Sequence, residues 1–201
     1  MRFDSSLDDI FTSRSHTAVL RALHRLPSGF PASGREIARR AGLSHPTSIK
    51  ALAALAESGL VIASRSPSGD RYELNRDHLF ADQLADLYRN EMRVSHELAT
   101  FLRDELLAST SKIDQATLFG SAVWGDSTPA SDIDLAITCE RSDLGEVEKA
   151  VDDLSRVARR RFGNQVSPLI DARKHRRRVG LWKRIEESGI PLISSGKAVP
   201  L

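Results

Sequence analysis

One stretch constrains this chain more than any other: Leu118 to Ile137, reading LFGSAVWGDSTPASDIDLAI. A short apolar run ends at Gly120-Ser121, a loop of Gly, Asp, Ser, Thr and Pro follows, and an alternating run begins with Asp132 and Asp134 two apart. Residues i and i+2 of a strand project from the same face. Both carboxylates therefore point one way, and Ile133, Leu135 and Ile137 point the other, into a core. Adjacent carboxylates repel, and a divalent cation with oxygen ligands, such as Mg²⁺, relieves that repulsion. Gly120 allows close backbone approach to a ligand. Ser121 can open a helix whose free N–H groups favour an anion. A phosphate holder beside a metal holder suggests a nucleoside triphosphate with its Mg²⁺.

The combination of Gly120-Ser121, the polar loop and Asp132-x-Asp134 resembles the signature of the polymerase-β-like nucleotidyltransferases. It is most similar to their minimal branch, whose loop carries Gly125-Asp126 and Ser131 as here. The resemblance implies a small mixed sheet with helices on one side. It assigns Asp132 and Asp134 to catalysis and metal binding, and Gly120, Ser121 and Ser131 to the nucleotide. The implied reaction moves a nucleoside monophosphate from Mg²⁺–NTP to an acceptor. Two features depart from the pattern. The third carboxylate on the next strand, which completes a two-metal site, aligns with Ser167. Asp171 shares that strand's parity but lies four residues on, about 13 Å away. The arginine common after the family's Gly-Ser is also missing, with Ala122 and Trp124 in that region. Triphosphate contacts would then fall more to backbone N–H groups and to cations among 173–178, Lys183 or Arg184.

Charge is unevenly spread. Residues 112–155 carry 3 basic and 10 acidic side chains, and 156–201 carry 12 and 3. An acidic block holding a metal site beside a basic block suits a metal–polyphosphate ligand. The basic run 173–178 reads by default as a solvated surface. The single cysteine, Cys139, excludes an intramolecular disulfide and fits a reducing compartment. No stretch approaches a membrane span, so a cytoplasmic location is expected.

Towards the N-terminus, Ala18, Val19, Ala22, Leu23 and Leu26 recur at helical spacing before Pro27. Gly34–Ala41 predicts a short helix, Gly42-Leu43-Ser44 a turn, and the residues from Pro46 to about Ser58 a third helix. Leu60–Ile62 and Arg71–Leu74 predict strands around a turn at 67–70. This arrangement resembles winged helix-turn-helix regulators over about residues 15–80. The resemblance implies double-stranded DNA as a partner, with His45, Thr47, Ser48 and Lys50 facing the major groove and Arg65 and Arg71 on the wing. Residues 79–108 form the longest helical run. Its stripe of Leu84, Leu87, Tyr88, Leu98, Phe101, Leu102 and Leu106 could pack on the second domain or on a second copy, giving a homodimer.

The expected architecture is α+β: a winged helix-turn-helix over 1–80, a connecting helix over 81–111 and a nucleotidyltransferase-like domain over 112–201. Helices are predicted from Leu144 to about Gly163 and from Arg176 to Ser188, and strands over 113–119, 132–138 and 166–170. Two functions fit: a DNA-binding nucleotidyltransferase, or a transcription regulator whose nucleotidyltransferase-like domain only binds nucleotide or mediates dimerisation.

Overall fold

The computed structural model describes residues 11, 13–67, 69–124, 131–172 and 180–201. The chain forms two compact units, Met1–Met92 and Arg93–Leu201. The 125–130 loop with Gly125-Asp126, wing-turn residue Ser68 and the basic run 173–178 lie outside the described residues.

In the first unit, three serines start three helices. Ser13 caps α1 (Arg14–His24) by accepting from the His16 N–H, and Ser33 caps α2 (Gly34–Ala41) by accepting from the Glu36 N–H. Ser44 caps α3 (His45–Glu57) by accepting from the Thr47 N–H. Each hydroxyl satisfies a donor that the first helical turn leaves without an intrahelical partner. Gly42 ends α2 at φ +65°, the left-handed conformation in which glycine has no side-chain penalty. β2 (Val61–Ser66) and β3 (Gly69–Leu74) pair antiparallel, and β1 (Ala32–Ser33) adds to β3, giving the order β1-β3-β2. Val19, Leu20, Leu23, Ile37, Leu52, Leu55, Leu60 and Tyr72 form the core, each large aliphatic side chain contributing about 1.5–3 kcal/mol by burial.

α4 (Ala81–Ser109) contributes to both units. Leu84 and Tyr88 belong to the first core, and Leu98, Phe101, Leu102 and Leu106 to the second. Leu87, placed on the same stripe by its spacing, is exposed. Within the first unit the Arg21 guanidinium grips Glu91 bidentately, at 2.5 and 2.6 Å. That contact is the main reason the Glu91 carboxyl lies below its ordinary range. Tyr88 donates to the Thr17 carbonyl at 3.2 Å, and burial pushes its phenol up to about 12.

The second unit is built on a five-stranded sheet, ordered β6-β5-β4-β7-β8. β4 spans Ile113–Phe119 and β5 spans Ile133–Cys139, and the two pair antiparallel. β6 (Val166–Asp171) pairs parallel with β5 through α6 (Leu144–Phe162), as a strand–helix–strand crossover requires. Ile133, Leu135 and Ile137 point into a core with the end of α4 and with Val147, Val151, Leu154 and Ala158 of α6. Buried Thr110 donates to Glu146 at 2.5 Å and so joins the end of α4 to the start of α6.

Two features differ from the sequence expectation. β7 (Ile190–Ser194) and β8 (Lys197–Ala198) extend the sheet beyond β4. Pro191 obscured β7, because proline lacks the N–H a ladder needs. Here it faces Thr117 at a register shift between Ala116 and Thr117, where the ladder is already interrupted. The last helix, α7, spans Leu181–Ser188 and follows Gly180 at φ +71°. The earlier part of its predicted range, through 179, lies outside the described residues. Among the described residues no helix is long and apolar enough to cross a membrane.

Candidate functional site

The end of β4 and the start of β5 bring the two halves of the sequence motif together. Phe119 pairs with Asp134, and the chain turns at Gly120 (φ +76°) into a single helical turn, α5 (Ser121–Trp124). Val123 N–H donates to the Gly120 carbonyl at 3.0 Å and closes that turn. The space a side chain would occupy at Gly120 is filled by the Asp134 side chain. A Cβ built there would contact Asp134 Oδ2, with Cγ at 2.8 Å and Cβ at 3.0 Å. Glycine is therefore required here twice over, by its backbone angle and by the carboxylate seated against it.

Asp134 is half-buried within β5, whereas Asp132 is exposed and lies one residue before the strand begins. Burial, and then the charge of Asp132, hold the Asp134 carboxyl above the ordinary carboxylate range. The two carboxylates are thus close enough to repel, and a cation between them would offset that repulsion. Mg²⁺ characteristically takes one or two carboxylates, with phosphate oxygens and waters filling its remaining positions. The donor set of Asp132 and Asp134 fits one such ion.

The parallel register decides which residue of β6 adjoins the pair. Ser167 lies opposite Asp134, and Asp171 lies opposite Thr138, four residues further along β5. Among the described residues no group of three or more His, Cys, Asp or Glu gathers into a metal site. The position of a third carboxylate is therefore held by an exposed serine.

Two contacts fix the chain at Asp132, and sequence reasoning missed both. Asn164 Nδ2 donates to the Ser131 carbonyl at 2.7 Å, and Ile133 N–H donates to the Gln165 carbonyl at 2.8 Å. Ser131, Asp132, Asn164 and Ser121 also line one cleft of about 210 Å³, with Leu98, Ile133 and Phe162 contributing apolar surface. Phe162 meets Phe101 edge-on at 5.3 Å, and Arg161 lies over both rings at 5.0 and 5.6 Å. Cys139 is buried, and burial first, then neighbouring acids beginning with Asp114, push its thiol up. That environment opposes thiolate formation.

In the first unit, His45, Thr47 and Lys50 of α3 are exposed, as is Arg65 of β2, while Arg71 of β3 is half-buried. The Thr47 hydroxyl lies 2.8 Å from the capping hydroxyl of Ser44. Ser48 corrects the sequence expectation. It is fully buried, its Oγ has no hydrogen-bond partner, and it faces the core rather than a groove. Its spacing of three, four and seven residues from Ala51, Leu52 and Leu55 carried that signal.

The chain thus pairs a winged helix with a sheet whose Gly-Ser turn lies beside Asp-x-Asp. Residues 12–71 match the MarR family, and residues 104–197 match the family described as polymerase beta, nucleotidyltransferase. The chain carries a MarR-family winged-helix domain and a polymerase β nucleotidyltransferase domain, in that order. No curated protein and no solved structure matches it.

Gly120→Ala is expected to weaken Mg²⁺-dependent nucleotide binding at least about tenfold, because the new Cβ must displace Asp134 from its seat. Gly196→Ala is the control. It has a similar backbone angle, φ +71°, but a Cβ there would meet nothing closer than the Ile113 carbonyl at 3.8 Å. It should leave binding unchanged when both variants are titrated by calorimetry.

Proposed function

We propose that the second domain transfers a nucleoside monophosphate from a nucleoside triphosphate to an acceptor, in a chain whose first domain binds double-stranded DNA. The observation that carries the reading is the carboxylate pair, Asp132 beside Asp134, with Asp134 seated against Gly120 at the Gly-Ser turn. In this reading Asp132 and Asp134 would hold Mg²⁺, which would neutralise charge on the triphosphate and on the departing pyrophosphate. Backbone N–H groups at Gly120-Ser121 and the Ser131 hydroxyl orient the phosphates. The acceptor oxygen attacks the α-phosphorus in line, the bridging P–O bond to the β-phosphate breaks, and the acceptor proton passes to solvent. With Ser167 in place of a third carboxylate, no side chain of β6 beside Asp134 helps to ionise the acceptor. The reaction is accordingly slow unless the acceptor is already an anion.

Incubation with triphosphate labelled at either the α- or the γ-phosphate tests the chemistry. The account expects Mg²⁺-dependent attachment of the α-label and release of the γ-label as pyrophosphate. Attachment of the γ-label would identify phosphoryl transfer and end this reading.

One observation favours a second reading, in which nucleotide binds without transfer and biases the winged helix as a transcription regulator. It is the register that sets Ser167 opposite Asp134. Such regulation requires unequal nucleotide affinity for two states of the chain.

For the first domain, the exposed positions His45, Thr47 and Lys50 lie early on α3, where a recognition helix meets base edges and phosphates. Arg65 and Arg71 would contact phosphates from the wing. Lys50→Ala is expected to weaken DNA binding and to lower the salt-dependence slope by about 1, with nucleotide binding unchanged. Absence of any salt-sensitive binding to genomic fragments in a mobility-shift assay would reassign the winged helix to a protein partner.

A further inference from the structure

We infer that Asn164 is a positioning residue for the metal-binding carboxylate of Asp132, an inference that rests on the nucleotidyl-transfer reading of this site. Asp132 precedes β5, so the sheet ladder alone does not fix its backbone. Its two neighbours are instead tied to two consecutive residues of the α6–β6 connection. The Ser131 carbonyl accepts from Asn164 Nδ2 at 2.7 Å, and the Ile133 N–H donates to the Gln165 carbonyl at 2.8 Å. The second tie is made by main chain and survives any side-chain change. The first depends on one part-buried amide, that of Asn164.

The consequence concerns the exposed carboxylate. Asp132 has backbone on both sides as its anchor, and Asn164 lines the same cleft as Asp132, Ser131 and Ser121. Without the amide, the Ser131–Asp132 peptide loses its tie to the α6–β6 connection at Ser131 and keeps the one at Ile133. The carboxylate then samples positions from which it cannot share a cation with Asp134. Groups that orient metal ligands from behind commonly set metal affinity by about 10- to 100-fold. No third carboxylate adjoins the pair from β6, so the site has little redundancy against that loss.

Mn²⁺ is the probe, titrated into the full chain by electron paramagnetic resonance with a non-hydrolysable nucleoside triphosphate analogue present. Asn164→Ala removes the donor. Asn164→Leu keeps the side-chain size but offers the Ser131 carbonyl no donor. Ser155→Ala is the structural control, because Ser155 Oγ accepts from the Val166 N–H at 3.2 Å in the same connection without touching the Asp132 segment. The expected result is a Mn²⁺ dissociation constant raised about tenfold or more in both Asn164 variants and unchanged in Ser155→Ala. Metal-free unfolding midpoints, measured in parallel, identify any variant that is not folded, and each Asn164 variant suffices alone. Wild-type affinity in a folded Asn164 variant overturns the inference, as does an equal loss in Ser155→Ala. Failure of the wild-type chain itself to bind Mn²⁺ with nucleotide overturns the transfer reading and the inference together.

Discussion

In metal-free buffer at neutral pH, Asp134→Asn is expected to unfold at a higher temperature than the wild-type chain. Burial and the charge of Asp132 raise the Asp134 carboxyl above its ordinary range in the folded state. A raised carboxyl is stabilising while protonated, below its unfolded pKa of about 4. That contribution is lost as pH rises through the folded value, so the ionised group is a liability at pH 7. Asparagine keeps the shape and removes the charge. Removing that liability should raise the unfolding midpoint. The gain should shrink as pH falls from 7 towards 4, where the wild-type carboxyl also becomes neutral. With Mg²⁺ and nucleotide the order should reverse, because only the wild-type chain gains stability by mass action. Calorimetric scans in chelator and in Mg²⁺–NTP, at several pH values, read both signs. A variant less stable than wild type at neutral pH without metal would mean that Asp134 is held by a favourable partner rather than strained by its neighbour.

The second large effect is a gain. Ser167→Asp should raise divalent-cation affinity and accelerate transfer, each by on the order of tenfold or more. Ser167 is exposed and lies opposite Asp134 on the adjoining parallel strand, about 4.8 Å away across the ladder. A carboxylate there would complete a set of three and could support a second metal, which lowers the pKa of an attacking hydroxyl. The same change should lower the metal-free midpoint, since three like charges then share one face. Metal titration of the variant, with the rate measured beside it, checks the claim. A stability loss without any gain in affinity would show that position 167 does not reach the ion.

Much of the architecture is legible in the sequence, for identifiable physical reasons. Helix starts were written locally, as Ser13, Ser33 and Ser44 each stand one residue before a helix and cap it. The carboxylate pair was legible because period-two alternation separates Asp134 from Ile133, Leu135 and Ile137. The resemblance aligned Ser167 with the missing third carboxylate, and the parallel register of β5 and β6 sets Ser167 opposite Asp134.

What escaped the sequence is what depends on distant pairing. Gly120 was read as making room for a ligand, yet the nearest occupant of that room is Asp134, fourteen positions on. Asn164 follows Gly163 after a long helix, a context that reads as a simple helix stop. Its amide acquires a task only once β5 lies beside β6. β7 was hidden by Pro191, whose missing N–H is tolerated only because the ladder shifts register there. Ser48 is different, since its helical spacing from Ala51, Leu52 and Leu55 already placed it inward.

The most direct test of the account is the binding of a nucleoside triphosphate to the wild-type chain by calorimetry, with and without Mg²⁺, beside Asp132→Asn/Asp134→Asn. The account predicts binding that requires Mg²⁺, one metal ion per chain, and its loss in the double variant with the fold retained. Binding that survives the double variant, or that ignores Mg²⁺, would contradict the assignment of Asp132 and Asp134 as the metal-holding pair.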